Sequence, residues 1–207
     1  MEQARRSSEV RQVELTDAAL HIIATRGITA LTTSNLAAEV GLSTGAIFKH
    51  FASLDALLEA VVTRVEAVLD ASYPSQELPP RARLERFVEA RSAAVGAQLG
   101  ILRLVLSEQF VMALPKSGST RLSACVQRSR DFVLGCVREG QDTGDFRADV
   151  DANALAVIAM GAIHVLALSN GPLRQRAEVA RSVRDGLSTL LQAPTVGGVT
   201  SAKNRSI

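Results

Sequence analysis

From Leu15 to Leu191 the apolar side chains of this chain recur at three- and four-residue spacing, and no stretch reads as a strand. Such spacing places apolar groups on one side of a helix, so the chain must be built from helices packed on helices. Composition agrees: 47% of residues are apolar, Trp is absent, and there are one Tyr and six Phe. Few aromatics and much Ala and Leu favour helix over sheet. At 207 residues the chain can form one large domain or a small one followed by a larger one, without disulfides or metals.

Leu15, Ala18, Ala19, Ile22 and Ile23 predict a helix over Val10 to Arg26, with Gly27 as a left-handed cap. Thr32 or Thr33 caps a short second helix carrying Leu36, Ala37 and Val40, which ends at Gly41. Ser43 caps a third, containing Ile47, Phe48 and Phe51, with Ile47 and Phe51 turned inward. Ser53 opens a fourth, with Leu57, Leu58, Val61, Val62, Val65, Val68 and Leu69 in register and Asp55 in its first turn.

The stretch from Thr32 to Phe51 is the informative one. A tight Gly41-Leu42-Ser43 turn between two short helices is the arrangement of a helix-turn-helix, whose second helix enters a DNA major groove while the first crosses the backbone. Small polar residues at the start of that second helix let it approach phosphates and base edges, and Ser43, Thr44 and Gly45 meet this demand. Lys49 and His50 add polar reach one turn on. An ordinary helical hairpin would also accommodate Gly-x-Ser, so the turn alone does not decide.

The order of residues around it does. Gly27, Thr32-Thr33, Leu36-Ala37, Gly41-Leu42-Ser43, Gly45-Ala46-Ile47-Phe48-Lys49-His50-Phe51, Ser53-Leu54-Asp55 and Leu57-Leu58 follow in one unbroken order. In this, residues 11 to 62 resemble the TetR/AcrR family of transcriptional regulators. The resemblance implies an all-α fold of about nine helices: a helix-turn-helix domain with its arm over residues 1–53, and a ligand-binding and dimerisation domain over 54–192, which helix 54–72 joins to the first. Residues 193–207 read as a disordered tail. The DNA-binding residues implied are Thr32, Thr33, Ser43, Thr44, Gly45, Phe48, Lys49 and His50. Two positions depart from the family pattern: Phe48 stands where Tyr is usual, and Leu54 where Lys is usual. Each loss removes a phosphate contact and puts more weight on Thr33, Thr44, Lys49 and the arm residues Arg5, Arg6 and Arg11.

Tyr73 to Pro80 is a break rich in Pro and Ser, and beyond it the chain is again helical. One helix starts at Pro80 and carries Leu84, Phe87, Val88 and Val95. A second runs from about Gly100 to Leu114, and a third carries Leu122, Cys125, Val126, Phe132, Val133, Cys136 and Val137, closed by Gly140. Asp151 caps an almost wholly apolar helix, Ala152 to Leu168, which stops at Asn170-Gly171 before Pro172 starts the last one. A helix apolar on all sides must be enclosed, and one subunit covers only part of it. A homodimer interface is therefore expected at Leu155, Ala159, Ala162 and Leu166 with Val183, Leu187 and Leu190, as a palindromic operator also requires. Candidate pocket residues are Phe87, Phe110, Met112, Phe132, Met160 and His164, suited to a small hydrophobic or amphipathic effector, though core packing accounts for most of them equally well.

Charge supplies no further argument for DNA. The net charge is +2, and the first 60 residues hold five bases against seven acids, so affinity must come from where charges sit. This balance keeps open an alternative: a member with weakened or lost DNA binding that senses a ligand or a protein partner. Cys125 and Cys136 are eleven residues apart in one helix, too far to bridge, and read as buried thiols. His21, His50 and His164 show no metal-ligand spacing, and no nucleophile–base set or phosphate loop is present, so neither an enzyme nor a cofactor is expected. The polar Met1 to Val10 segment and the short apolar runs point to a cytoplasmic protein with no membrane partner; the expected partners are double-stranded DNA, a second copy and a small molecule.

Overall fold

The computed structural model describes residues 2–97, 105, 107–168 and 173–193. Among them are nine α-helices and one 3-10 turn: α1 (Glu2–Arg26), the turn Ile28–Ala30, α2 (Thr33–Val40), α3 (Thr44–Ile47), α4 (Leu54–Asp70), α5 (Pro80–Ala97), α6 (Glu108–Ala113), α7 (Lys116–Asp142), α8 (Ala152–Leu168) and α9 (Leu173–Leu191). The all-α expectation holds, with no strand among the described residues. The start near Gly100, the Asn170-Gly171 stop, Pro172, residues 194–207 and the side chains of Arg5, Arg6 and Val95 lie outside what is described.

The first core lies where the apolar stripe of α1 meets α2 and α4. Leu15, Ala19, Ile22 and Ile23 of α1 close on Leu36 and Ala37 of α2, Ile47 of α3, Phe51, and Leu57, Leu58, Val61, Val62 and Val65 of α4. Each large aliphatic group buried in this way contributes about 1.5–3 kcal/mol of transfer free energy. The same core continues through Leu69 to Phe110 and Leu114 at α6 and to Leu122 and Cys125 of α7. A second core packs Leu84, Phe87 and Val88 of α5, Val133, Cys136 and Val137 of α7, Phe146, and the inward side of α8 with Leu187 and Leu191 of α9.

Several local expectations are refined. The first helix begins at Glu2, eight residues before Val10, so the segment that carries the arm arginines is helical. Gly27 has positive φ, but its ψ of 164° is extended and not left-handed helical. It is Gly41, at φ 67° and ψ 32°, that forms the αL cap and lets the chain turn sharply out of α2. The third helix is a single α-turn, Thr44–Ile47. It continues as a tighter turn in which His50 N–H bonds Ile47 O at 2.9 Å, so the expected helix through Phe51 is shortened.

Most residues of the expected interface are turned inward. Leu155, Ala159, Leu166 and Leu187 are buried within their own chain, at 2, 0, 5 and 8% exposure. Ala162 and Val183 are partly buried against the second core, and only Leu190 of the seven is exposed. The open side of α8 is instead the stripe Val157, Ile158, Gly161 and Val165. A helix apolar all round gives no periodicity from which to tell its inner face from its outer one.

Candidate functional site

Three side-chain caps set the helix-turn-helix. Thr32 Oγ1 accepts from Asn35 N–H at 3.1 Å, which selects Thr32 rather than Thr33 as the cap of α2. Ser43 Oγ accepts from Ala46 N–H at 3.3 Å, and Ser53 Oγ from Ala56 N–H at 3.1 Å. With Ile47 and Phe51 buried, the opposite side of this short segment is turned outward. Thr44, Gly45, Phe48 and Lys49 are exposed on it, together with the capping Thr32 and Ser43, and Thr33 is half-buried at the start of α2. A Cβ on Gly45 would meet no atom within 4 Å. That surface is open to an approaching backbone.

Two of the sequence candidates sit differently from the rest. His50 is half-buried, its Nδ1 lies 3.3 Å from Ser8 Oγ, and its carbonyl accepts from Gln12 Nε2 at 2.9 Å. It ties the end of the turn back to α1. Phe48 is 51% exposed, an apolar ring on a polar outer face. The nearby acids are largely engaged: Glu14 pairs with Arg11, Glu39 with Arg26, and Asp17 with Arg64. Lys49 has no ion-pair partner among the described residues, which leaves its charge free on the outer face.

The second constellation is a cavity between α4, α5, α7 and α8. Phe87, Met160 and His164 line it, joined by Leu69, Arg91 and Ser129, which sequence reasoning did not single out. Its free space is about 20 Å³, room for little more than one water. Of the other pocket candidates, Phe132 packs behind the wall, its ring 4.9 Å from that of Phe87 and 5.2 Å from that of Tyr73. Phe110 belongs to the first core, and Met112 is 79% exposed at α6, so neither lines this cavity.

Arg91 is 3% exposed, an uncommon place for a guanidinium. Its Nη2 donates to Ser129 Oγ at 2.8 Å, and its charged head lies over the rings of Phe87 and Tyr73, 4.8 and 5.6 Å from their centroids. Burial lowers its pKa from the ordinary value, against a smaller opposing effect of Tyr73. His164 is also lowered, mainly by burial and further by the charge of Arg91, so its imidazole is neutral at pH 7. Burial likewise pushes the thiol of Cys136 up to about 11 and raises that of Cys125; both are free, buried and protonated. Among the described residues no His, Cys, Asp and Glu cluster could hold a metal, and no helix is long and apolar enough to cross a membrane.

Comparison with known proteins agrees with this geometry. Residues 15–61, the span from the stripe of α1 into α4, match the family model described as bacterial regulatory proteins of the tetR family. The HTH-type transcriptional repressor KstR2 of Rhodococcus jostii (strain RHA1) is 28% identical over 152 residues, 68% of this chain and 70% of that protein. The fold is shared with the ketosteroid transcriptional regulator KstR2 of Mycobacterium tuberculosis, at a TM-score of 0.77 and 20% identity over 88% of this chain and 95% of that one. It is shared as well with AibR, whose structure holds isovaleryl coenzyme A and operator DNA, at a TM-score of 0.71 and 18% identity over 87% and 97%. Over residues 15–61 the chain is similar to bacterial regulatory proteins of the tetR family, and the caps, turn and core of its first four helices have the arrangement that this match implies.

Proposed function

We propose that the protein is a repressor that binds a palindromic operator as a homodimer and leaves it when a small hydrophobic or amphipathic ligand occupies the cavity between α4, α5, α7 and α8. The observation that carries this reading is the outward surface of Thr44, Gly45, Phe48 and Lys49, presented on a turn whose inner side is fully packed. Thr32, Thr33 and Ser43 flank it as phosphate-contacting groups, and His50 serves by holding the turn against α1. The second copy would cover the open stripe Val157, Ile158, Gly161 and Val165 of α8 with Leu190 of α9, which removes exposed apolar groups from water. The names of similar proteins point the same way: one is a repressor, and another was crystallised with both an acyl coenzyme A and operator DNA.

Release would follow from differential affinity. A ligand needs more room than the cavity offers, so it binds better to a form in which the cavity helices have moved. Leu69, near the end of α4, lines the cavity, while the other end of α4 packs beneath the helix-turn-helix. Movement of α4 changes the separation of the two recognition turns in a dimer, and that separation must match about one helical turn of DNA, roughly 34–36 Å.

Selection of bound duplexes from a random pool tests the reading directly. Recovery of an inverted repeat with half-sites about 10 bp apart is expected. Recovery of no preferred sequence would reject it. The exposed Phe48 and Leu54 and the acid excess of the first 60 residues support a second reading, a sensor that has lost DNA binding. That reading predicts an empty selection together with an intact ligand response.

A further inference from the structure

Arg91 has more hydrogen-bonding capacity than its surroundings satisfy. Ser129 gives its one hydroxyl proton to Cys125 O at 3.0 Å, so its oxygen accepts from Arg91 Nη2 at 2.8 Å and from Tyr73 O–H at 3.1 Å. That oxygen is then saturated. Arg91 Nε is fully buried without an acceptor, and among the described residues no carboxylate pairs with the guanidinium. Tyr73, Cys125 and Asp70 favour its charge by less than burial opposes it, and a buried cation so incompletely compensated is costly. Arg83, the other arginine with a buried and unpartnered Nε, differs in that it pairs with Glu139.

We infer that Arg91 anchors the carboxylate of a small acid whose apolar body fills the cavity walled by Leu69, Phe87, Met160 and Ile163. This rests on the ligand-release reading above and adds the chemical class of the ligand. A guanidinium offers paired donors that match the two oxygens of a carboxylate, and the pair is strongest where water is excluded. Among the described residues the walls supply hydrocarbon contact and no second cation: His164, the other titratable group that they place on the cavity, is neutral at pH 7 and can donate one N–H. A neutral amide or a thioester of the same acyl body brings no charge to Arg91 and leaves its cost standing. The wider depression between α5 and α9 does not share this character, since Glu85, Glu89 and Asp185 face Arg86 and Arg184 around it.

Calorimetric titration of the full chain with matched short- to long-chain carboxylic acids, branched and ring-bearing, tests the inference against their primary amides and coenzyme A thioesters. The best acid is expected to bind about tenfold or more tighter than its amide, the difference made by one charge-assisted pair. Arg91→Met is expected to bind acid and amide alike, with its amide affinity that of the wild type as the sign of an intact cavity. Should this variant not fold, the contrast in the wild type decides alone. Amide or thioester binding as tight as the acid overturns the anchor but not ligand release, and so does an acid preference that survives Arg91→Met. Binding by no member of the panel overturns the inference. Acid binding that does not free the selected operator leaves the anchor standing and overturns ligand release.

Discussion

Arg121 of α7 donates from Nη1 to Oε2 of Glu59 on α4, at 3.1 Å. The same guanidinium reaches Glu66 one face-repeat further along α4 from Nε at 3.2 Å, and Thr63 Oγ1 between them from Nη2 at 2.9 Å. Its pKa is raised, first by the bond to Glu66. One side chain thus joins the helix that closes the first core to the longest helix among the described residues.

Arg121→Met should leave Glu59 and Glu66 facing each other without their shared cation. Since the arginine is more than a third exposed, the cost is about 1 kcal/mol or less. Thermal unfolding in low salt and in about 1 M salt separates electrostatics from packing, because screening at the higher concentration shrinks only the former. A deficit of equal size in both would reject the ionic account.

Lys49→Ala should weaken operator binding without altering thermal stability, because the side chain is exposed and makes no ion pair among the described residues. If the ammonium contacts a phosphate, the slope of log affinity against log salt falls by about one. A mobility-shift titration across salt gives both quantities. Unchanged affinity would remove Lys49 from the interface.

Gly140→Ala should destabilise the second core. A Cβ at this position would stand 2.1 Å from Cδ2 of Phe146, whose ring is buried in the second core. Phe146 N–H also bonds Gly140 O at 2.9 Å, which holds the ring in place. Overpacking of this kind costs about 1–3 kcal/mol or more. A thermal midpoint equal to that of the wild type would show that the ring can move aside at no cost.

His164 makes stability depend on pH in a stated direction. Burial, and then the charge of Arg91, depress its folded pKa below the ordinary 6.5. The unfolded chain therefore takes up a proton first as pH falls. The stability associated with neutral His164 is complete above about pH 6.5 and is lost as pH drops from there through the folded pKa. His164→Gln should flatten denaturation midpoints across this window, and Arg91→Met should shift the window upward toward 6.5. A pH profile of His164→Gln superimposable on the wild type would sink the assignment.

Much of the first half of the chain was legible in the order of its residues. Caps at Thr32, Ser43 and Ser53, the αL turn at Gly41 and the inward stripe of α4 are local matters, set by hydrogen bonds and periodicity within a few residues. The inner and outer sides of the helix-turn-helix follow from the same periodicity at Ile47 and Phe51. The tie from His50 to α1 was not legible for a reason of distance, since Ser8 lies 42 positions away in the chain.

What the second half of the chain does with its residues was decided in three dimensions. The sequence determined that α8 is apolar throughout and must be covered, but which side meets its own chain depends on where α5, α7 and α9 pack. Met112 and Phe132 look alike as candidate pocket groups, yet one projects outward and the other stacks behind the cavity wall. Arg91 carries no signal at all in a helix rich in charge. Only the meeting of α5 with α7 and α8 strips it of water and leaves Nε unanswered, because burial and hydrogen-bond satisfaction belong to assembled helices and not to the order of residues within one of them.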